Sequence, residues 1–145
     1  MKYTQVKAVR KLCDNLFSTP DYREVIGNMV CGKTDFEVDN VRFISDDVIL
    51  KTLADEIGSD EYCLGCFNAS FLSDVLGVDQ DVIKAMQKAE AFEAVGKLVK
   101  SLGKLAQVSE DYASADGFGH HFNSYDFGED EIKVAGVLYH VFDNH

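Results

Sequence analysis

Tryptophan is absent from the 145 residues, proline occurs once and cysteine four times. With one proline and no run rich in serine and glycine, no segment has the composition of a flexible linker. Four cysteines in a chain of this size do not make a disulfide-knotted miniprotein, so we expect free thiols in a reducing cytoplasm. No apolar run reaches the ~18 residues of a membrane-spanning helix, and the N-terminus lacks the apolar core of a signal peptide.

The composition is that of an ordinary soluble protein, with 46% hydrophobic and 27% charged residues. This excludes a disordered tail or a collagen-like chain, and the length suits one domain. We therefore expect a single globular domain over residues 1–145. Its fold class is predicted as α+β: mostly helical over 5–110, with a short β-hairpin at 36–44 and a C-terminal antiparallel β element at 117–142.

Negative charge dominates and is unevenly distributed. The net charge is −11; residues 1–34 carry +3, residues 35–80 carry −9 and residues 81–145 carry −5. Such a chain repels phosphate backbones and anionic lipid, so we expect no direct nucleic-acid binding and no membrane partner. Two interpretations remain open. Acidity keeps the protein in solution, or a face studded with carboxylates imitates nucleic acid or docks on a basic partner.

Apolar residues at intervals of three and four predict amphipathic helices. The first contains Val6, Val9, Cys13, Leu16 and Phe17. A second begins at Thr19-Pro20, a pair suited to a helix start, and runs to about Val30. A third follows the caps at residues 45–47 and ends at Gly58.

The middle of the chain predicts a buried helix and a longer helical stretch. Residues 60–76 are apolar nearly all round, which is typical of a central buried helix. Residues 79–107 would span about 40 Å as one helix, so we expect a break near Glu90-Ala91 or at Gly103. Gly96 and Gly103 either allow close backbone approach or merely weaken the helix.

Turn residues and β-branched or aromatic residues predict the strands. Phe36–Val38 and Val41–Ile44 flank Asp39-Asn40, a pair that tolerates left-handed turn conformations. After Ser114, alternation predicts a strand at His120–Tyr125, then a turn at 126–130 and strands at 132–134 and 137–142. Ala135-Gly136 is interpreted as a bulge or a second tight turn.

Two groups of residues suggest chemistry. Cys63 and Cys66 form a C-x-x-C, for which structural packing is favoured over metal or redox roles, since adjacent acids oppose thiolate formation. On a strand, His120 and His121 would face opposite sides and could not share a metal. A cluster with Asp116, Asp126, Tyr125 or His140 could perform acid–base work, but satisfied structural histidines are favoured. We expect no catalytic residues, no metal and no cofactor.

The most distinctive string runs from Tyr112 to Asp126 and contains, from Asp116 on, the pattern D-G-x-G-H-x-F-x-x-Y-D. With the stretch from Leu64 to Ala89, it resembles small uncharacterised acidic proteins of bacteriophages and plasmids. The resemblance implies a mobile-element origin, a location in the host cell cytoplasm and stoichiometric binding to host machinery, including restriction and CRISPR effectors.

The leading hypothesis is therefore a non-enzymatic inhibitor of a host defence complex, of the anti-CRISPR or antirestriction type. It would cover the basic surface of a host protein or ribonucleoprotein. Its own rigid array of carboxylates would displace nucleic acid from that surface. The candidate contacts are Asp35, Glu37, Asp39, Asp46, Asp47, Asp55, Glu56, Asp60 and Glu61. The alternatives are a small metal- or histidine-dependent enzyme and a phage structural or assembly factor, which would expose an apolar patch.

Overall fold

The structure is a computed structural model that describes residues 1–145. Nine helices and a four-stranded antiparallel sheet form an α+β fold. The predicted fold class is confirmed. The chain divides into two compact units. The first comprises Met1–Ile49 and Asp116–His145, and the second comprises Leu50–Ala115. The expectation of one domain over residues 1–145 stays a prediction. No helix is both long enough and apolar enough to cross a bilayer.

The first unit contains the whole sheet and three helices. The strands are β1 (Asp35–Val38), β2 (Val41–Ser45), β3 (Asp130–Val134) and β4 (Val137–Asp143), in the spatial order β1-β2-β4-β3. The helices are α1 (Tyr3–Asn15), α2 (Tyr22–Val30) and the single turn α9 (Gly119–Phe122). Two-residue turns close both hairpins: Asp39-Asn40 has φ values of 50° and 68°, and Ala135-Gly136 has 51° and 82°. Both predicted hairpins are confirmed.

One face of the sheet, called here the inner face, packs against α1 and α2. Alternation along the strands and the register that pairs Phe36 with Phe43 and Phe43 with Val141 place the large apolar residues on this side. They join Val9, Cys13, Leu16, Val25 and Met29 from the helices in one buried cluster. Removal of this apolar surface from water is the main stabilising term of the unit.

The opposite, outer face is covered at its centre by the loop that contains α9. Ile44, His140 and Phe142 are buried there. The ring of Phe122 lies 5.2 Å from that of Phe142, and the ring of Phe118 lies 5.1 Å from that of His140. The guanidinium of Arg42 stacks over Phe122 at 5.0 Å.

The strand predicted at His120–Tyr125 is wrong, because these residues form α9 and a compact turn. Asn123 stabilises the turn, since its amide donates to Asp126 Oδ1 at 2.7 Å and to the carbonyl of Gly128 at 2.9 Å. A Cβ on Gly119 would lie 2.2 Å from the carbonyl oxygen of Phe127, so the loop closes only around glycine. These contacts outweigh the alternation of polar and apolar side chains.

Two details at the N-terminal helices also differ from the sequence prediction. The cap of α2 is Asp21, whose carboxylate accepts from the amide of Arg23 at 2.9 Å, whereas Thr19 sits in a turn with φ 40°. Phe17 follows the end of α1 and is 77% exposed, so it does not belong to the buried stripe.

The second unit consists of six helices. Their bounds are α3 (Ile49–Gly58), α4 (Glu61–Gly65), α5 (Ala69–Leu76), α6 (Gln80–Lys88), α7 (Phe92–Ser101) and α8 (Leu105–Asp116). The first residue of α3 and the last residue of α8 fall in the first unit. Helices α4 and α7 touch through backbone. A Cβ on Gly65 would lie 1.8 Å from the carbonyl oxygen of Phe92, and one on Gly96 would lie 2.1 Å from that of Glu61. Of the two interpretations of Gly96, close backbone approach is therefore confirmed. Gly103 allows no such approach, because a Cβ added there would have no atom within 4 Å; its φ of 67° marks the end of α7.

The central helix predicted at residues 60–76 is broken into α4 and α5. Asn68 ends the continuity because its side chain accepts from the amides of Ser70 and Phe71 and so caps α5. Tyr62, Cys63 and Cys66 are exposed rather than buried. The long stretch after Asp79 is interrupted at both predicted places, with φ 60° at Glu90 and φ 67° at Gly103.

Candidate functional site

Five of the nine predicted contact residues lie in residues 35–47, which we call the acidic hairpin. Its one basic residue, Arg42, forms a bidentate ion pair with Asp35, with N–O distances of 2.9 and 2.7 Å. Asp39 accepts from the amide of Asp21 at 3.0 Å. The carboxylates of Glu37 and Asp47 are exposed and carry no ion pair.

The other four predicted contact residues lie in the second unit. The carboxylate of Asp55 is 3.8 Å from the ammonium of Lys51, and that of Glu61 is 3.1 Å from Lys100 and 4.0 Å from Lys97. Asp60 caps α4 by accepting from the amide of Cys63 at 3.0 Å. Glu56 is half-buried on α3. Nearby lysines thus offset the charge of Asp55 and Glu61, whereas Glu37 and Asp47 in the acidic hairpin have no such partner.

His120 and His121, for which a structural role is favoured over an acid–base cluster, contact aromatic rings. The ring of His120 stacks on Phe127 at 4.8 Å, and that of His121 meets Phe122 edge-on at 4.8 Å. Asp126 accepts from Asn123 and from the amide of Gly128, so it holds the turn together. These contacts give the D-G-x-G-H-x-F-x-x-Y-D segment a structural role in covering the outer face.

A different histidine lies among carboxylates. His140 is on β4, only 4% exposed, with Glu131 directly opposite on β3. Its Nδ1 is hydrogen-bonded to Glu129 Oε1 and lies 3.7 Å from Glu131 Oε1, while its Nε2 is 2.8 Å from Asp46 Oδ1. We call these four residues the carboxylate–histidine cluster.

The electrostatics of the cluster favour positive charge on the ring. Burial by itself lowers the pKa of His140, but hydrogen bonds to Asp46 and Glu129, together with their charges, outweigh it, and the pKa is raised. A carboxylate lies at each ring nitrogen, and both can accept a hydrogen bond only when both nitrogens carry a proton, as in the imidazolium. The arrangement therefore attracts a cation, whether a proton or a metal ion.

The sequence does not predict this cluster as a whole, although it contains one signal for it. A two-residue turn at Ala135-Gly136 fixes the hairpin register and pairs Glu131 with His140. Alternation then directs Glu131 to the same face as His140. Glu129 and Asp46 lie outside the strands, and only the folded structure brings them to the ring.

The C-x-x-C pair is exposed and reduced, so its expected packing in the interior is wrong. A hydrogen bond to Asp60 raises the pKa of the Cys63 thiol, which disfavours the thiolate that redox chemistry needs. Cys13 is the buried cysteine; burial raises its pKa to about 11.

Comparisons of the chain with protein-family models, with curated proteins and with solved structures give no match. The acidic hairpin and the carboxylate–histidine cluster are therefore the features of this chain that suggest a function.

Proposed function

We propose that the protein is a non-enzymatic inhibitor that binds a basic, nucleic-acid-binding surface of a host protein or ribonucleoprotein. The acidic hairpin would supply the contacts, with Glu37 and Asp47 at their centre. The resemblance to proteins of bacteriophages and plasmids suggests a restriction or CRISPR effector as the target.

The segregation of charge within the first unit carries this proposal. Residues 1–34, which contain α1 and α2, have a net charge of +3 and pack on the inner face. Residues 35–49 and 116–145, which contain the sheet and its outer cover, hold eleven acidic and two basic residues, a net charge of −9. Strand register directs Asp35, Glu37 and Glu131 to the outer face. The outer face of the sheet would therefore attract a partner surface rich in lysine and arginine.

Electrostatic complementarity of this kind accelerates association and selects against acidic partners. The carboxylates sit on a paired hairpin rather than a flexible tail, so little conformational entropy is lost on binding. Nucleic acid competing for the same basic groups would be displaced, and the affinity would fall with added salt.

The test is displacement of fluorescent target DNA from purified host effectors, both a restriction endonuclease and a CRISPR effector loaded with guide RNA. We expect the chain to displace the DNA, with affinity at least about tenfold weaker at 200 mM than at 50 mM salt. The double variant Glu37→Gln, Asp47→Asn should weaken displacement by about tenfold, as expected for two exposed ion pairs worth up to ~1 kcal/mol each.

The matched control is Asp74→Asn with Glu110→Gln, which removes the same charge from exposed positions in the second unit. It should leave displacement nearly unchanged. Equal losses in both double variants would mean that only net charge matters, and displacement insensitive to salt would contradict the mechanism.

A further inference from the structure

We propose that Glu129, Glu131 and His140 form a binding site for a divalent transition-metal ion of the zinc type, oriented by Asp46. The ring atom Nδ1 of His140 and one oxygen from each glutamate would be the ligands. This site is independent of the proposed inhibitory function, which requires no ion.

The ligand atoms already converge. One atom from each of the three residues lies within 4.8 Å of the others, so small side-chain rotations of the glutamates would bring all three to the ~2.0–2.2 Å bond lengths of one zinc ion. Glu131 and His140 are held as direct partners in the β3–β4 ladder. His140 is buried, and Phe118 packs against its ring, so the ring is fixed before any ion arrives.

The negative charge of the cluster exceeds what one imidazole ring can balance. Three carboxylates surround one imidazole, because Asp46, Glu129 and Glu131 each form an ion pair with the ring of His140. One N–H at Nδ1 serves Glu129, while Glu131 at 3.7 Å lies beyond hydrogen-bonding distance of it. A divalent ion at Nδ1 would instead engage both glutamates and balance their charge.

Asp46 determines which ring nitrogen is available. By accepting from Nε2 at 2.8 Å, it keeps a proton on that nitrogen, so an ion that displaces the proton at Nδ1 finds the Nδ1 lone pair on the side of the two glutamates. A carboxylate that orients a metal-binding histidine in this way is a common outer partner of metal sites. Asp46 is thus a positioning residue rather than a ligand.

The donor set indicates the class of ion. One imidazole nitrogen with two carboxylate oxygens suits zinc, manganese or iron(II), whereas a soft thiophilic ion would prefer cysteine. Three protein ligands leave a coordination position for water. The side chain of Glu131 is 55% exposed, so an ion can reach the site from solvent.

Zinc binding is measured by titration calorimetry in a Cys31→Ser, Cys63→Ser, Cys66→Ser background, which removes the three exposed thiols that would compete for the ion. We expect one zinc ion per chain. Glu131→Gln and Glu129→Gln should each weaken binding at least about tenfold, and Asp46→Asn by about 10–100-fold with the stoichiometry retained. The matched control is Glu37→Gln, which removes an exposed carboxylate on β1. It should bind zinc with the same affinity as the background.

Cobalt(II) identifies the ligands, since its visible spectrum distinguishes nitrogen and oxygen donors from thiolates. The background protein should give d–d bands without thiolate charge transfer, and Asp46→Asn should keep that spectrum at higher metal concentrations. Circular dichroism of the metal-free variants confirms that each one folds. The proposal is overturned by the absence of saturable zinc binding in the background, or by equal affinities of folded Glu131→Gln and the background.

Discussion

At the scale of single residues, Asp143 shows how a buried charge is kept ionised. It is 9% exposed at the end of β4 and accepts from the hydroxyl of Ser18 at 2.5 Å and from the amide of Ser18 at 3.1 Å. Burial alone would raise the pKa of Asp143, but the hydrogen bonds from Ser18 and the neighbouring His145 lower it overall. The lowered pKa makes the contribution of Asp143 to stability depend on pH.

Replacement of Ser18 by alanine should therefore destabilise the protein most at neutral pH. We expect the free energy of unfolding to fall by about 1.5 kcal/mol at pH 7, the loss of one hydrogen bond to a charged group. Because the folded pKa lies below the unfolded one, this contribution is present above the unfolded pKa of about 4 and disappears as the pH falls through the folded pKa. Urea unfolding from pH 7 down to pH 3 measures it.

The control is Ser124→Ala, an exposed serine of the same unit. Its free energy of unfolding should follow that of the wild type at every pH. A Ser18→Ala difference that stayed constant down to pH 3 would show that the hydroxyl does not act through the charge of Asp143.

At the scale of elements, the contact of α4 with α7 depends on two glycines rather than on interlocking side chains. The clashes that a methyl group would meet at Gly65 and Gly96 involve backbone carbonyls, which cannot rotate away as a side chain does. The two helices would have to separate to accept a larger residue.

Gly96→Ala should accordingly lower the free energy of unfolding by about 3 kcal/mol, at the upper end of the usual cost of overpacking. Gly27→Ala is the matched change, because Gly27 also lies inside a helix but has nothing within 4 Å of its added Cβ. That variant should gain about 0.5–1 kcal/mol from better helix propensity. Urea unfolding of the two variants compares them, and a Gly96→Ala protein as stable as the wild type would contradict the contact.

The turn of the β3–β4 hairpin offers a gain rather than a loss. Ala135 adopts φ 51°, a conformation that costs an alanine ~1–2 kcal/mol and that asparagine tolerates better. Ala135→Asn should raise the free energy of unfolding by about 0.5–1 kcal/mol and keep the register that pairs Glu131 with His140. Thermal unfolding measures the change, and a lower midpoint for the variant would refute it.

Elements with local signals are those that the sequence predicts best. Asp39-Asn40 adopts left-handed conformations that its own side chains favour, and Asp60 and Asp79 cap helices through contacts two or three residues away. The α9 segment depends instead on Phe118 and Phe122 packing against a strand that lies far along the chain. The carboxylate–histidine cluster combines both cases, since a local turn pairs Glu131 with His140 and tertiary structure adds Asp46.

At the scale of the whole molecule, a net charge of −11 opposes folding through self-repulsion. It is shared almost evenly, with −6 in the first unit and −5 in the second. Salt shortens the range of repulsion, from about 30 Å at 0.01 M to about 10 Å at 0.1 M ionic strength.

We therefore expect the free energy of unfolding in urea to increase between 10 mM and 500 mM sodium chloride. The variant Asp74→Asn, Glu110→Gln carries less charge and should show a smaller increase. Fluorescence and circular dichroism recorded together also test whether both units unfold in one transition, as a single domain requires. Stability that decreased with salt would mean that attractive ion pairs outweigh the repulsion.

The strands β1 and β3 form the two edges of the sheet, so each has one side that no other strand of the sheet pairs with. Their exposed positions carry Asp35, Glu37, Asp130, Glu131 and Lys133. Like charges on such edges keep molecules from adding to one another's sheets. The protection depends on ionised carboxylates, and it should weaken near the isoelectric point of about 4.6. Concentrated solutions at mildly acidic pH are thus where fibrous assembly of this chain would begin.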